Sequence, residues 1–313
     1  MRAPLRRSGR PKVEPAYLSL GAAELRSRAE RALRALTRCT VCARACRVDR
    51  SAGPAGACRT GRRARVSSFF PHHYEERPIS GWRGSGTIFF SGCNLSCVFC
   101  QNYEISQGDE GVEVDDEELA EMMLSLQRLG CHNVNLVSPS HVVPQVLSAL
   151  AIAVPAGLRL PIVYNTGGYD SLATLRLLDG VVDVYMPDAK YDDARTAEQL
   201  SGIRHYPRIN RLGLREMHRQ VGDLQLDEDG IAVRGLLVRH LVLPGGLAGT
   251  AGVVEFIASQ LSRDTYLNVM AQYHPSYQAD RFESLRRRID ADEYAEAIRA
   301  ARSAGLWRGL AEG

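Results

Sequence analysis

From residue 86 onward the chain alternates strand-like and helical stretches six times, and this alternation limits the possible folds more than any other feature. The strand-like stretches are 86–91, 133–138, 161–166, 182–186, 236–243 and 265–271, each short and rich in β-branched or aromatic residues. Helical patterns occupy 115–129, 141–153, 170–179, 192–202, 250–262 and 290–304. Repeated βα units predict a parallel sheet with right-handed crossovers. Six units are two short of the eight that close a full barrel. The expected class is α/β, as an open six-stranded (β/α)6 partial TIM barrel. One insertion, 203–234, interrupts the alternation. Tyr206, Ile209, Leu212, Leu214, Met217 and Val221 give its first half a helical pattern, and the run from Asp227 to Gly230 reads as the turn of a short hairpin.

Upstream, residues 1–21 read as a disordered basic leader, with prolines and arginines and no apolar core of a secretory signal. Residues 22–38 place Leu25, Ala29, Ala32, Leu33 and Leu36 near one helical face. That helix runs straight into a cysteine-rich stretch, so 22–65 is expected to be a helix plus a metal module, and 66–313 the barrel core. Residues 66–82 read as a bridge into the core. Within it His72, Glu75 and Glu76 form a dense polar set, either a salt-bridged linker or groups that meet a substrate. No apolar run approaches the ~20 residues of a membrane span. Residues 1–65 hold 17 Lys/Arg against 4 Asp/Glu, a balance of +13, so the remainder carries −10 within the net +3. Such an arm suits nucleic acid or an acidic partner, but without interleaved aromatic residues it also suits a solvated tail.

Seven of the eight cysteines fall in two tight clusters, which is metal-ligand spacing and points to a reduced, cytoplasmic setting. In the first, Cys39, Cys42 and Cys46 are followed by Cys58 after a Gly-Pro turn; four thiolates of this kind can close around zinc or hold an iron–sulfur cluster. In the second, a strand-like run reaches Ser91-Gly92 and delivers Cys93, Cys97 and Cys100 on one loop. Three thiolates on one loop suit an iron–sulfur cluster with one iron left open. Zinc with a distant fourth ligand is the alternative.

Functional residues in parallel α/β proteins gather at the carboxyl ends of strands. Here those ends are the cysteine loop, Ser138-Pro139-Ser140-His141, Asn165-Thr166-Gly167-Gly168, Met186-Pro187-Asp188-Ala189-Lys190, Pro244-Gly245-Gly246 and Gln272-Tyr273-His274. Every one is polar, charged or glycine-rich. The remaining cysteine, Cys131, opens a strand and is expected in the core.

The loop Cys93-x-x-x-Cys97-x-Phe99-Cys100 at a strand end resembles the cluster loop of radical S-adenosylmethionine (SAM) enzymes. The flanking sequence is similar to the branch that includes the activating enzyme of pyruvate formate-lyase. That resemblance, over about 39–305, implies a [4Fe-4S] cluster on these cysteines and SAM bound to its open iron. It further implies reductive cleavage of SAM to a 5′-deoxyadenosyl radical that abstracts hydrogen, an electron donor such as flavodoxin or ferredoxin, and a protein, peptide or small-molecule substrate. Asp188 and Lys190 match a motif beside SAM, and His274 a position near its methionine end. Asn165 and Thr166 resemble a rim segment that, with Asp188 and Met186, borders a monovalent cation. Ser138-Pro139-Ser140-His141 departs from the family's Gly-Gly-Glu, although the Ser138 segment still offers backbone to the SAM amino group. A reading of a different class is a non-catalytic metal and nucleic-acid binding protein that uses the basic arm and the four-cysteine module.

Overall fold

The computed structural model describes residues 14–310. Most of the leader therefore lies outside the described residues. Its end does not: Ala16–Ser19 form a 3-10 turn that buries Tyr17. The Tyr17 hydroxyl donates to Leu160 O at 2.8 Å, and Ala16 N donates to Asp183 Oδ1 at 2.7 Å. An aromatic residue just past the basic run is what ties this end down.

Helix α1 (Gly21–Arg34) buries Leu25, Ala29 and Ala32 as its spacing predicts. Strand β1 (Ala64–His72) and helix α2 (Arg77–Ser80) follow, where a bridge was expected. β1 runs antiparallel to β2 (Ser85–Phe90). It tolerates Pro71 because β3 covers only its first residues, which leaves the proline at an edge where no N–H is needed. After β2 come α3 (Tyr103–Ser106), β3 (Val112–Val114), α4 (Asp116–Arg128) and β4 (Val134–Val137). Next are α5 (Val143–Ala153), β5 (Ile162–Thr166), α6 (Leu172–Leu177) and β6 (Val184–Pro187). α7 (Ala194–Ser201) follows β6 where a helix was expected, and the inserted segment supplies α8 (Tyr206–Val221) and β7 (Gln225–Leu226). The chain ends with β8 (Ala232–Leu241), α9 (Thr250–Gln260), β9 (Tyr266–Met270) and α10 (Ala291–Ser303).

The sheet is mixed and open, in the order β3-β1-β2-β4-β5-β6-β8, with β7 and β9 both on β8. β2, β4, β5, β6, β8 and β9 run parallel to their neighbours in that series. The larger helices contribute to one apolar cluster, with Leu119, Leu147, Leu175, Met217, Ile257 and Ile298 meeting Ile88, Leu136, Tyr164, Tyr185, Val238 and Val269 from the strands. Helices therefore cover one face of the sheet, and the strand period of two sends the intervening residues to the other. α1 packs across α5, which is why α5 is buried on nearly every side. The opposite, inner face is plugged at one end by Ile79 of α2, packed with Val163, Val184, Met186 and Leu237. Among the described residues no helix is long and apolar enough to cross a membrane. Cys131 lies in the core as expected.

Candidate active site

β2 ends at Phe90, and Gly92 turns the chain with φ +78°. A side chain at Gly92 would strike Cys58 O at 2.3 Å, so the N-terminal module lies directly on the base of the cysteine loop. Cys93, Cys97 and Cys100 all face one open cavity of about 260 Å³. Each sulfur has a polar neighbour: Leu95 N donates to Cys93 Sγ at 3.3 Å, Ser201 Oγ lies 3.0 Å from Cys97 Sγ, and Ser106 Oγ 3.1 Å from Cys100 Sγ. Burial, with Cys97 alongside, pushes the Cys93 thiol up to about 12. Phe99 is buried beneath the loop, edge-on to Tyr191 and Tyr273.

The same cavity is lined by Ser138, Asn165, Thr166, Asp188 and Lys190, so the strand ends do converge on the loop. Ser138 adopts φ 58°, ψ 46°, a left-handed conformation uncommon for a residue with a Cβ. His141, three residues on, is buried and accepts no solvent; its Nε2 lies 3.0 Å from Ser91 O, and burial together with Arg50 lowers it to about 3. It is thus a neutral strut between the β4 turn and the cysteine loop. Thr166 Oγ1 donates to Asp170 Oδ2 at 2.8 Å and sits 2.8 Å from Ser140 Oγ, which fixes the β5 end. His274 is not in the cavity lining; it stands at the rim, 3.2 Å from Gln101 Nε2, and Gln101 lines the cavity in its place.

Lys190 Nζ donates to Asp188 Oδ2 at 2.5 Å. Burial by itself would lower Lys190, but Asp188 and Cys97 outweigh it and hold the ammonium above its usual range. Burial would likewise raise Asp188, but Arg239 and Lys190 outweigh it and keep the carboxylate ionised. Arg239, on the inner face of β8, was not singled out by sequence. Its Nε donates to Asp188 Oδ1 at 3.0 Å and its Nη2 to Asn165 Oδ1 at 2.7 Å. Glu75 Oε2 and Glu76 Oε1 lie 3.7 and 3.8 Å from its Nη1. The available signal was a charge in the middle of an apolar strand, Leu236 to Leu243, since a buried Arg needs partners. His240 beside it bridges Ala189 O at 2.6 Å and Thr250 Oγ1 at 2.9 Å, which pins the Asp188–Lys190 segment to β8.

These residues suit an iron–sulfur cluster and SAM: three thiols on one loop, one buried and two half-buried, a polar group beside each, and an ammonium and carboxylate lining the same cavity. They do not suit the monovalent cation that the resemblance implies. The side-chain oxygens of Asn165 and Asp188 that would border it already accept from the Arg239 guanidinium.

In the N-terminal module Cys39, Cys42 and Cys58 are buried and Cys46 is exposed. Burial pushes the Cys42 thiol up to about 12, with Cys58 and Cys39 adding to the rise. Ala45 and Arg47, on either side of Cys46, and Arg59, after Cys58, all have positive φ. Arg50 is fully buried; it donates to Thr60 O at 2.7 Å and His141 O at 2.8 Å, and lies 3.6 Å from Cys39 Sγ. Arg44 Nε donates to Asn94 O at 2.5 Å in the central loop. Among the described residues no three His, Cys, Asp or Glu side chains converge as a single-ion site.

A family profile described as the Radical SAM superfamily matches residues 87–211. An uncharacterized protein of Methanocaldococcus jannaschii is 32% identical over 269 residues, 83% of this chain and 73% of that protein. Among solved structures, a radical SAM methyltransferase from Sphaerobacter thermophilus is 14% identical with a TM-score of 0.49, covering 70% of this chain. Streptococcus suis SuiB bound to its precursor peptide SuiA is 11% identical with a TM-score of 0.45, covering 69%. The chain spans 64% and 45% of the lengths of those two solved chains.

Proposed function

Because this chain belongs to the radical SAM superfamily, we propose that it cleaves SAM reductively and uses the resulting radical to abstract hydrogen from a substrate. The observation that carries this reading is one cavity lined by Cys93, Cys97, Cys100, Ser138, Asn165, Thr166, Asp188 and Lys190. These residues come from strand ends spread over nearly a hundred positions of sequence. Cys93, Cys97 and Cys100 would hold a [4Fe-4S] cluster, which supplies the electron that splits SAM to methionine and a 5′-deoxyadenosyl radical. Lys190 offers a cation to the SAM carboxylate, and Asp188 keeps that cation charged and aimed. Ser138 lines the cavity, and its backbone would receive the SAM amino group. Phe99 and Leu95 exclude water from one side of the loop.

The motif similarity at 186–190 favours the activating-enzyme-like branch, with flavodoxin or ferredoxin as electron donor. Cys39, Cys42, Cys46 and Cys58 would form a second metal site, zinc or iron–sulfur; strained backbone beside Cys46 and Cys58 supports a site there. The wholly non-catalytic reading is disfavoured, because nucleic-acid binding through the basic arm gives no reason for Lys190 and Asp188 to face three thiols. Anaerobically reconstituted, reduced protein should release 5′-deoxyadenosine from SAM. Cys97→Ala should abolish that release, and full cleavage by this variant would refute the reading.

A further inference from the structure

The inner face of a structural barrel is filled by Val, Ile and Leu. Here Thr87, Asn135, Asn165, Arg239 and Asn268 alternate with strand residues that face the helices. Asp188, Arg239 and Asn268 stand side by side in register. Glu75 and Glu76 enter this polar layer from the segment between β1 and α2. Glu75 lines the floor of the cavity, with its side chain only 10% exposed.

Counting donors against acceptors leaves this floor incomplete. Arg239 spends Nε and Nη2 on Asp188 and Asn165, and its Nη1 faces the two glutamates only at 3.7 and 3.8 Å. Asn165 Nδ2 approaches Glu75 Oε1 at 3.4 Å, and Asn268 Nδ2 donates to Glu76 Oε1 at 3.1 Å. Glu76 Oε2 and both polar atoms of the Asn135 side chain are buried with no hydrogen-bond partner, and Asn135 is wholly inaccessible. A finished structural network would pair these atoms. The charges are unbalanced in the same direction. Asp188, Glu75 and Glu76 face two cations, Arg239 and Lys190, which leaves one negative charge in excess when all are ionised.

We infer that this floor is a receptor for a primary amine: Glu75, backed by Glu76 and Asn135, takes the ammonium group of the substrate. An ammonium brings three N–H donors and one positive charge. Of the acceptors in this layer, Glu75 is the one that lines the cavity, held only by the long contacts to Asn165 and Arg239; Glu76 Oε2 and Asn135 Oδ1 lie unpaired in the layer behind it. A carboxylate or phosphate ligand would add to the excess negative charge, and a hydroxyl would neutralise none of it. Phe89, which lines the cavity and stacks on Phe70 at 5.6 Å, gives the carbon chain of such a substrate an apolar wall. The inference rests on the radical reading for the role of the bound molecule, and amine binding is measurable apart from it.

The test titrates the full-length protein, reconstituted with its cluster and SAM, with propylamine, 1-propanol and propionate at pH 8, followed by saturation-transfer NMR. Wild type should prefer propylamine over propanol by about tenfold or more, the scale of one charge-assisted hydrogen bond, and should bind propionate least. Glu75→Gln should erase the preference while keeping the wild-type circular dichroism spectrum. Equal binding of amine and alcohol by wild type overturns the inference without recourse to any variant, as does a preference that survives in a folded Glu75→Gln protein. Formation of 5′-deoxyadenosine in the same preparations reports on the radical reading separately. Amine selectivity without cleavage keeps the receptor and removes the radical role; cleavage without selectivity does the reverse.

Discussion

Glu75→Gln should make the protein more stable at high pH, and the size of the gain follows from where the carboxyl sits. Burial raises Glu75 from 4.5 to about 7; Arg239 opposes the rise and Glu76 adds to it. Below about pH 4.5 the carboxyl is protonated in both folded and unfolded chains, so its ionisation costs nothing. As pH rises, the unfolded chain releases the proton first. The folded state then holds more protons, and stability falls with pH until the folded group has also ionised, near 7. A rise from 4.5 to about 7 corresponds to about 3 kcal/mol above that range. Glutamine is nearly isosteric and cannot ionise. Relative to wild type, the variant should therefore gain nothing near pH 4 that depends on ionisation. It should then gain progressively to a plateau of about 3 kcal/mol above pH 7.5, with a factor of two either way because Glu76 shares the site. Urea unfolding of both proteins at several pH values between 4.5 and 8.5 measures the difference directly. A difference that does not change with pH would show that Glu75 ionises as it would in water. A residue kept at such a cost in stability is expected where function requires it.

Other outcomes follow from the same geometry. Lys190→Ala should weaken SAM binding by roughly 1.5–3 kcal/mol, the loss of one charge-assisted contact, with iron content unchanged; unaltered affinity would place the SAM carboxylate elsewhere. Because Arg239 occupies the oxygens of Asn165 and Asp188, SAM cleavage should proceed equally in sodium, potassium or choline buffers, and a strict requirement for one alkali cation would contradict that arrangement. Changing Cys42 and Cys46 together to Ala should remove metal from the N-terminal module and leave the central cluster assembled. Loss of zinc would mark a structural site and loss of about four irons a second cluster; no change in either would mean that the module holds no metal.

The parallel strands and their helices were legible because their signals are local: β-branched runs of the right length, separated by amphipathic stretches. The convergence of Cys93, Ser138, Asn165, Thr166, Asp188 and Lys190 was legible too, since strand ends of a parallel sheet share an edge whatever their distance in sequence. β1 was missed because Pro71 and the charges from Glu75 to Arg77 obscure its pattern; what makes it a strand is the free edge of β2, which is a tertiary fact. The exact position of His274 was not legible for a related reason: a residue beyond a strand end is aimed by the loop that follows, and this one stands at the rim beside Gln101. Arg239 shows the general limit. Its partners Asp188, Asn165, Glu75 and Glu76 lie 51 to 164 positions away in sequence, and no local pattern links them. A charge inside an apolar strand indicates only that partners must exist. Which ones they are is decided by register, and here register puts the guanidinium between the residues proposed to hold SAM and the glutamates of the cavity floor. Arg239 reaches both groups, so a change at the floor has a direct electrostatic route to Asp188 and, through it, to Lys190.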